Sequence, residues 1–169
     1  MSEAPELFDT TGCLCLAARR ASRAITREFD RALRAHGLRA TQFSLLSALA
    51  LSGGMRISDL ADLLCAERTT LTRNLAVAEQ QGLVQSAVGT DGRERILSIS
   101  TKGRRVLNRA VGTWQTVQER ITEQLGKSAA DSLRRLSGGP STFALGKSLG
   151  KNVSADSIDK RIKAVHPEN

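Results

Sequence analysis

Leu14, Ala18, Ala21, Ile25, Phe29 and Leu33 recur at three- and four-residue steps, with arginines and acids between them. That spacing lines the apolar side chains along one face and predicts a helix over residues 12–36, stopped by Gly37. A second helix is predicted from Thr41, as N-cap, through QFSLLSALAL to Gly53 and Gly54. A third opens at Ser58 within MRISDLADLLCA, with Ile57, Leu60 and Leu64 on one face and Cys65 as core near its end. The fourth, ERTTLTRNLAVAEQQG, carries Leu71, Leu75 and Ala78 as its buried stripe. Only a short polar step separates the third and fourth, which is the spacing of a helix-turn-helix.

The period then shortens to two. LVQSAVGTDGRERILSIS has a turn centre at GTDG between stretches rich in Val, Ile and Leu. After the turn, Arg95, Leu97 and Ile99 fall on one side and Ile96 and Ser98 on the other, predicting a β-hairpin with an Asp-Gly turn. Thr101 is expected to cap a long helix whose Leu107, Val111, Trp114, Ile121 and Leu125 approach a heptad seam. A shorter helix, SAADSLRRL, ends before Gly138-Gly139-Pro140. The remainder is punctuated by Gly and Ser, with one modest amphipathic stretch, DSIDKRIKAV, and no internal repeat is visible.

This order of elements reads as a mainly α fold with a small β-hairpin wing. It is a winged helix-turn-helix with N- and C-terminal dimerisation helices, contained in a single domain over 1–169. Residues 12–36 and 101–136 supply the dimerisation helices, 41–100 the winged helix-turn-helix, and 137–169 a Gly/Ser-rich tail.

Composition sharpens the choice of partner. The chain carries 25 Lys and Arg against 17 Asp and Glu, a net charge of +8 with a pI near 10.2, and has no tyrosine. Such an excess favours a polyanion, nucleic acid or an anionic surface. No apolar run reaches the roughly 18 residues of a membrane span, and the acidic start MSEAPELFD is unlike a signal peptide. The expectation is a soluble, cytoplasmic protein without a membrane partner. Three cysteines (Cys13, Cys15, Cys65) lack a zinc spacing and are an odd number, so no disulfide scaffold or metal knuckle is indicated. A Gly-rich phosphate loop is missing, as is any His/Cys/Asp set at ligand spacing, so neither an enzyme nor a cofactor is expected.

The sequence also resembles the MarR-type transcriptional regulators from about residue 12 to 136. The likeness is strongest in AERTTLTRNLAVAEQQGLV, GTDGRERILSIST and TKGRRVL. It implies a homodimer with interleaved first and last helices, binding a palindromic operator in double-stranded DNA as a repressor or, less often, an activator. The tail after Gly138 departs from the family pattern in being longer and richer in glycine.

With Leu71 and Leu75 facing inward, the outward residues of the fourth helix come from Arg68, Thr69, Thr70, Thr72, Arg73 and Asn74. A recognition helix enters the major groove by its N-terminal half. There Arg matches guanine, Asn matches adenine, and Thr meets phosphate or the thymine methyl. At the hairpin tip, the resemblance implies that Asp91 orients Arg93 into the minor groove, where a narrow groove's negative potential suits an arginine. Arg95 would lie along the strand and meet phosphate, while Lys102, Arg104 and Arg105 form a general basic surface.

Two sensing modes are consistent with the sequence. Cys15 stands 22 residues before Gly37 and 27 before Gln42, spacings shared with the reactive cysteine of the peroxide-sensing OhrR branch. A thiolate near a helix start is favoured by the dipole, and Arg19 one turn on would help. Oxidation to the sulfenic acid would then distort the dimer. The tyrosines that hold that cysteine in the sensors are replaced by Phe29 and Ala40, and a bridge to Cys13 would require unwinding of the helix. The other mode is a small aromatic or anionic effector bound between the dimerisation helices and the DNA-binding lobe. Arg19, Arg23, His36 and Phe43 are its candidate lining residues, although a histidine just before a helix-ending glycine is more often a C-cap than a ligand contact. A nucleoid-type binder without sequence preference would explain the charge, but would need neither Asn74 nor the apolar seam around Trp114.

Overall fold

The computed structural model describes residues 12–88 and 95–137. The elements run α1 (Leu14–Leu33), a 3-10 turn (Arg34–His36), α2 (Ala40–Ser52), β1 (Met55–Arg56), α3 (Ile57–Leu63) and α4 (Arg68–Gln80). They continue as β2 (Val84–Val88), β3 (Arg95–Ile99), α5 (Thr101–Leu125) and α6 (Lys127–Ser137). The predicted first helix therefore tightens into a 3-10 turn before Gly37, which adopts φ 71° and ends it.

The four central helices enclose one core. Leu33, Leu45, Leu46, Leu49, Leu60 and Leu71 are its most deeply buried large side chains. The stripe expected on α4, Leu71, Leu75 and Ala78, is buried. The hairpin is present, with Leu97 and Ile99 facing inward from β3. β3 is the central strand of three in the order β1-β3-β2, all antiparallel. β1 was not expected: its two residues carry no alternation of their own and pair Met55 with Leu97 and Arg56 with Ile96.

Helix starts shift by one or two residues from the expected caps. α2 begins after Arg39, not at Thr41. The Asp30 carboxylate accepts the Ala40 N–H at 2.7 Å and Gln42 Oε1 accepts the Arg39 N–H at 3.0 Å, so the free amides are satisfied two residues earlier. α3 starts at Ile57 rather than Ser58, directly after the strand. Ser100, not Thr101, caps α5, its Oγ accepting the Gly103 N–H at 2.9 Å.

The apolar seam of α5 requires a larger correction. Leu107 is buried, and Trp114 stacks on Phe43 at 5.7 Å and on Phe29 at 6.5 Å between ring centroids. Val117 and Ile121 are also buried. These side chains are therefore covered by their own chain. Among the described residues the exposed large apolar side chains are Leu14 and Leu16 on α1, Val77 on α4, Val88 at the end of β2, Leu125 at the end of α5, and Leu133 and Leu136 on α6.

Cys65 is likewise not core: it is exposed and holds φ 47° in the turn after α3. Its N–H reaches Asp62 O at 3.2 Å and the Ala66 N–H reaches Ala61 O at 2.9 Å, a Schellman closure with Cys65 where glycine usually sits. A side chain with a Cβ is disfavoured there. Cys65→Gly is expected to stabilise the fold by about 1 kcal/mol, seen as a higher urea midpoint with unchanged slope; a lower midpoint would contradict the assignment.

Candidate nucleic-acid interface

α3 and α4 are joined by the short turn around Cys65, and α4 presents its first turns away from the core. Arg68, Thr69, Thr70, Thr72 and Arg73 are exposed, and Asn74 is half-buried. At 3.6 residues per turn, Thr69 and Arg73 lie opposite Leu71 and Leu75, whereas Asn74 sits at the flank of the buried stripe. Thr72 Oγ1 donates to Arg68 O at 2.8 Å, so this hydroxyl proton is already used and the methyl and lone pairs remain for a partner. Arg68 and Arg73 have no side-chain ion pair among the described residues. The same face continues through Ala76, Val77 and Gln80, all exposed, with Val77 at 45%. Sequence reasoning stopped at Asn74. The signal was available, since these residues lie three to eleven positions after Thr69 and Arg73 in helical register.

Directly after α4 the chain turns into β2 and the hairpin, whose tip, including Asp91 and Arg93, lies outside the described residues. Arg95 is described, and it is engaged. Its Nη2 reaches Glu79 Oε1 at 3.0 Å and Ser86 Oγ at 2.6 Å, tying the hairpin to the C-terminal half of α4. It is thus a brace for the wing, with its exposed remainder free to meet phosphate. Lys102 Nζ donates to Gln81 O at 2.7 Å, placing a cation on the carbonyl end of α4. Arg104 and Arg105 are exposed beside it.

This geometry is that of a helix-turn-helix whose second helix is braced to a wing. A MarR-family model matches residues 36–94. The transcriptional regulator MosR of M. tuberculosis, solved in complex with DNA, is 39% identical with a TM-score of 0.67, covering 74% of this chain and 93% of that one. This chain belongs to the MarR family. It is a DNA-binding transcriptional regulator of that family, with no enzymatic role implied. The transcriptional repressor CouR, bound to a 23-mer DNA duplex, is 28% identical with a TM-score of 0.67, covering 80% of this chain and 96% of CouR. A mutant of MarR from E. coli in complex with operator DNA shares the fold, at 19% identity and a TM-score of 0.69 over 78% of this chain and 95% of that one. No curated protein matches the chain.

The residues considered for sensing are placed in two groups. His36 Nε2 lies 2.8 Å from Thr113 Oγ1, and Phe43 packs on the neighbouring Trp114, so these two flank one segment of α5. Phe43 is buried as part of that stack. Arg19 and Arg23 stand exposed on the N-terminal half of α1. Cys13 and Cys15 are exposed at the start of the same helix, Cys13 as its N-cap with extended backbone. Among the described residues no group of His, Cys, Asp and Glu is arranged to hold a metal ion, and no helix is long and apolar enough to cross a membrane.

Proposed function

We propose that this MarR-family protein is a homodimeric repressor that reads a palindromic operator with α4 and is released by an effector. The observation that supports it most is the exposed Arg68–Arg73 face of α4, without an ion pair among the described residues, on a helix braced to the wing through Arg95 and Glu79. Arg73 and Thr69, opposite the buried stripe, contact base edges; Arg68, Thr70 and Thr72 serve phosphates; Asn74 reads adenine from the flank. Asp91 and Arg93 would complete the contact in the minor groove. The repressor sign follows the relative CouR, described as a transcriptional repressor. The effector is a small aromatic or anionic molecule between the dimerisation helices and the DNA-binding lobe, with Arg19, Arg23, His36 and Phe43 as candidate contacts.

Selection of bound fragments from random duplex DNA tests this reading. A single palindromic preference is expected, and enrichment of no sequence would favour the nucleoid-type alternative. On the selected operator, Arg73→Ala should cost about 1–3 kcal/mol and relax one base position. Arg93→Ala should weaken binding while leaving major-groove preference intact. Two variants that bind like wild type would place the reading head elsewhere.

A redox reading is favoured by one observation, the exposure of Cys13 and Cys15 at the start of α1. In it, an organic peroxide oxidises the Cys15 thiolate to the sulfenate and is itself reduced to the alcohol. Operator affinity of wild type and Cys15→Ser, each before and after peroxide, decides it. Loss confined to oxidised wild type supports the sensor, and four equal affinities leave the small-molecule effector.

A further inference from the structure

Gln42 is the buried polar side chain of the described residues, 8% exposed amid Phe43, Leu45, Leu46 and Leu49 on α2. A buried amide is costly unless bonded, and a leucine would pack in its place. Both ends of this amide are engaged. Its Oε1 accepts the Arg39 N–H at 3.0 Å, and its Nε2 donates to Gln81 Oε1 at 2.9 Å. Gln81 is the C-cap of α4. Its carbonyl in turn takes the Lys102 ammonium of α5, and the start of α2 is pinned to α1 by Asp30 and the Ala40 N–H. A continuous polar path therefore runs from α1 through Gln42 to the end of the recognition helix and on to α5.

α4 is otherwise held to the helical body by its apolar stripe, Leu71, Leu75 and Ala78, while Glu79 ties it to the wing through Arg95 and the Gln81 carbonyl takes Lys102 of α5. Apolar packing is non-directional, and a helix can roll on it at little cost, whereas a hydrogen bond fixes distance and angle. We infer that Gln42 is a positioning residue for DNA binding: its bond to Gln81 ties α4 to α2, and through the Arg39 and Ala40 amides to Asp30 of α1, and so sets the separation of the two reading heads. The inference rests on the dimeric regulator proposed above. The lever is favourable, because the latch holds the C-terminal end of a helix about 20 Å long while the N-terminal half enters the groove. Two such helices must meet half-sites about 34–36 Å apart, so a small rotation at the latch appears as relaxed spacing.

The test uses full-length protein, the selected operator, and two operators whose centre is one base pair longer or shorter. Affinity, melting temperature and sedimentation are measured for wild type, Gln42→Leu, Gln81→Ala, Gln81→Glu and Gln42→Leu/Gln81→Leu. Wild type should prefer the native spacing. Gln42→Leu and the exposed-site Gln81→Ala should bind it about five- to tenfold more weakly and approach equal affinity for the three spacings, while remaining dimers. Gln81→Glu keeps an acceptor for the same N–H and should keep the preference. The double variant removes both polar partners, so its melting temperature should recover while its spacing preference stays lost. Undiminished spacing preference in Gln42→Leu and Gln81→Ala overturns the inference alone, as does its return in the double variant together with stability. A wild type that binds no duplex, or sediments as a monomer, overturns the regulator reading and this inference with it.

Discussion

Gly103→Ala should destabilise the fold by about 3 kcal/mol or more, although alanine is the better helix former. Gly103 is buried in the first turn of α5. A Cβ there would fall inside the van der Waals envelope of the Leu83 carbonyl oxygen and 3.0 Å from Ile99 Cγ1. That carbonyl cannot retreat, because it already accepts the Ser100 N–H at 3.0 Å, and Ser100 Oγ is bound to Gly82 O at 2.6 Å. The glycine is what lets α5 sit directly on the turn between α4 and β2, the root of the wing. Gly112, on the same helix, is the internal control. It is exposed, and an added Cβ meets nothing within 4 Å. Gly112→Ala should therefore stabilise by up to about 1 kcal/mol through helix propensity alone. Urea unfolding reads both: opposite signs support the close approach at Gly103, and equal signs would remove it as the cause.

The wing root illustrates what the sequence could and could not disclose. Helices and hairpin were legible because periods of 3.6 and 2 are local properties, and the Leu71–Leu75–Ala78 stripe fixed the outward face of α4 without any tertiary information. The elements that were missed depend on partners far along the chain. β1 exists through two residues pairing with β3. α2 starts where Asp30 of α1 meets the Ala40 N–H, which displaces the cap from Thr41. A heptad on α5 could not say whether the partner of Trp114 was a second copy or the same chain, and Phe29 and Phe43 answer that from α1 and α2. Cys65 looked like core because a short apolar residue ending a helix usually is, yet its φ of 47° belongs to the closing turn. Gln42 entered the sequence reading only as a spacing mark, since nothing local announces that a buried amide will meet Gln81.

Monomerising the protein should cost operator affinity about a thousandfold. Leu125 and Leu133 are 43% and 44% exposed, Leu136 54% and Leu14 85%. Exposed large apolar side chains on α1, α5 and α6 are what the proposed homodimer would cover with a second copy. An aspartate pair, Leu125→Asp with Leu133→Asp, would place buried, unpaired carboxylates in that interface, whereas in the monomer both sites face water. The variant should therefore keep its helical circular dichroism and sediment as a monomer. For an operator bound at about 10⁻⁹ M and an effective concentration near 10⁻³ M for the second half-site, one half-site alone binds at about 10⁻⁶ M. The loss follows from the missing second reading head, since α4 lies outside the mutated surface. A variant that remains dimeric would put the interface elsewhere, and a monomer with undiminished affinity would show that one reading head is enough.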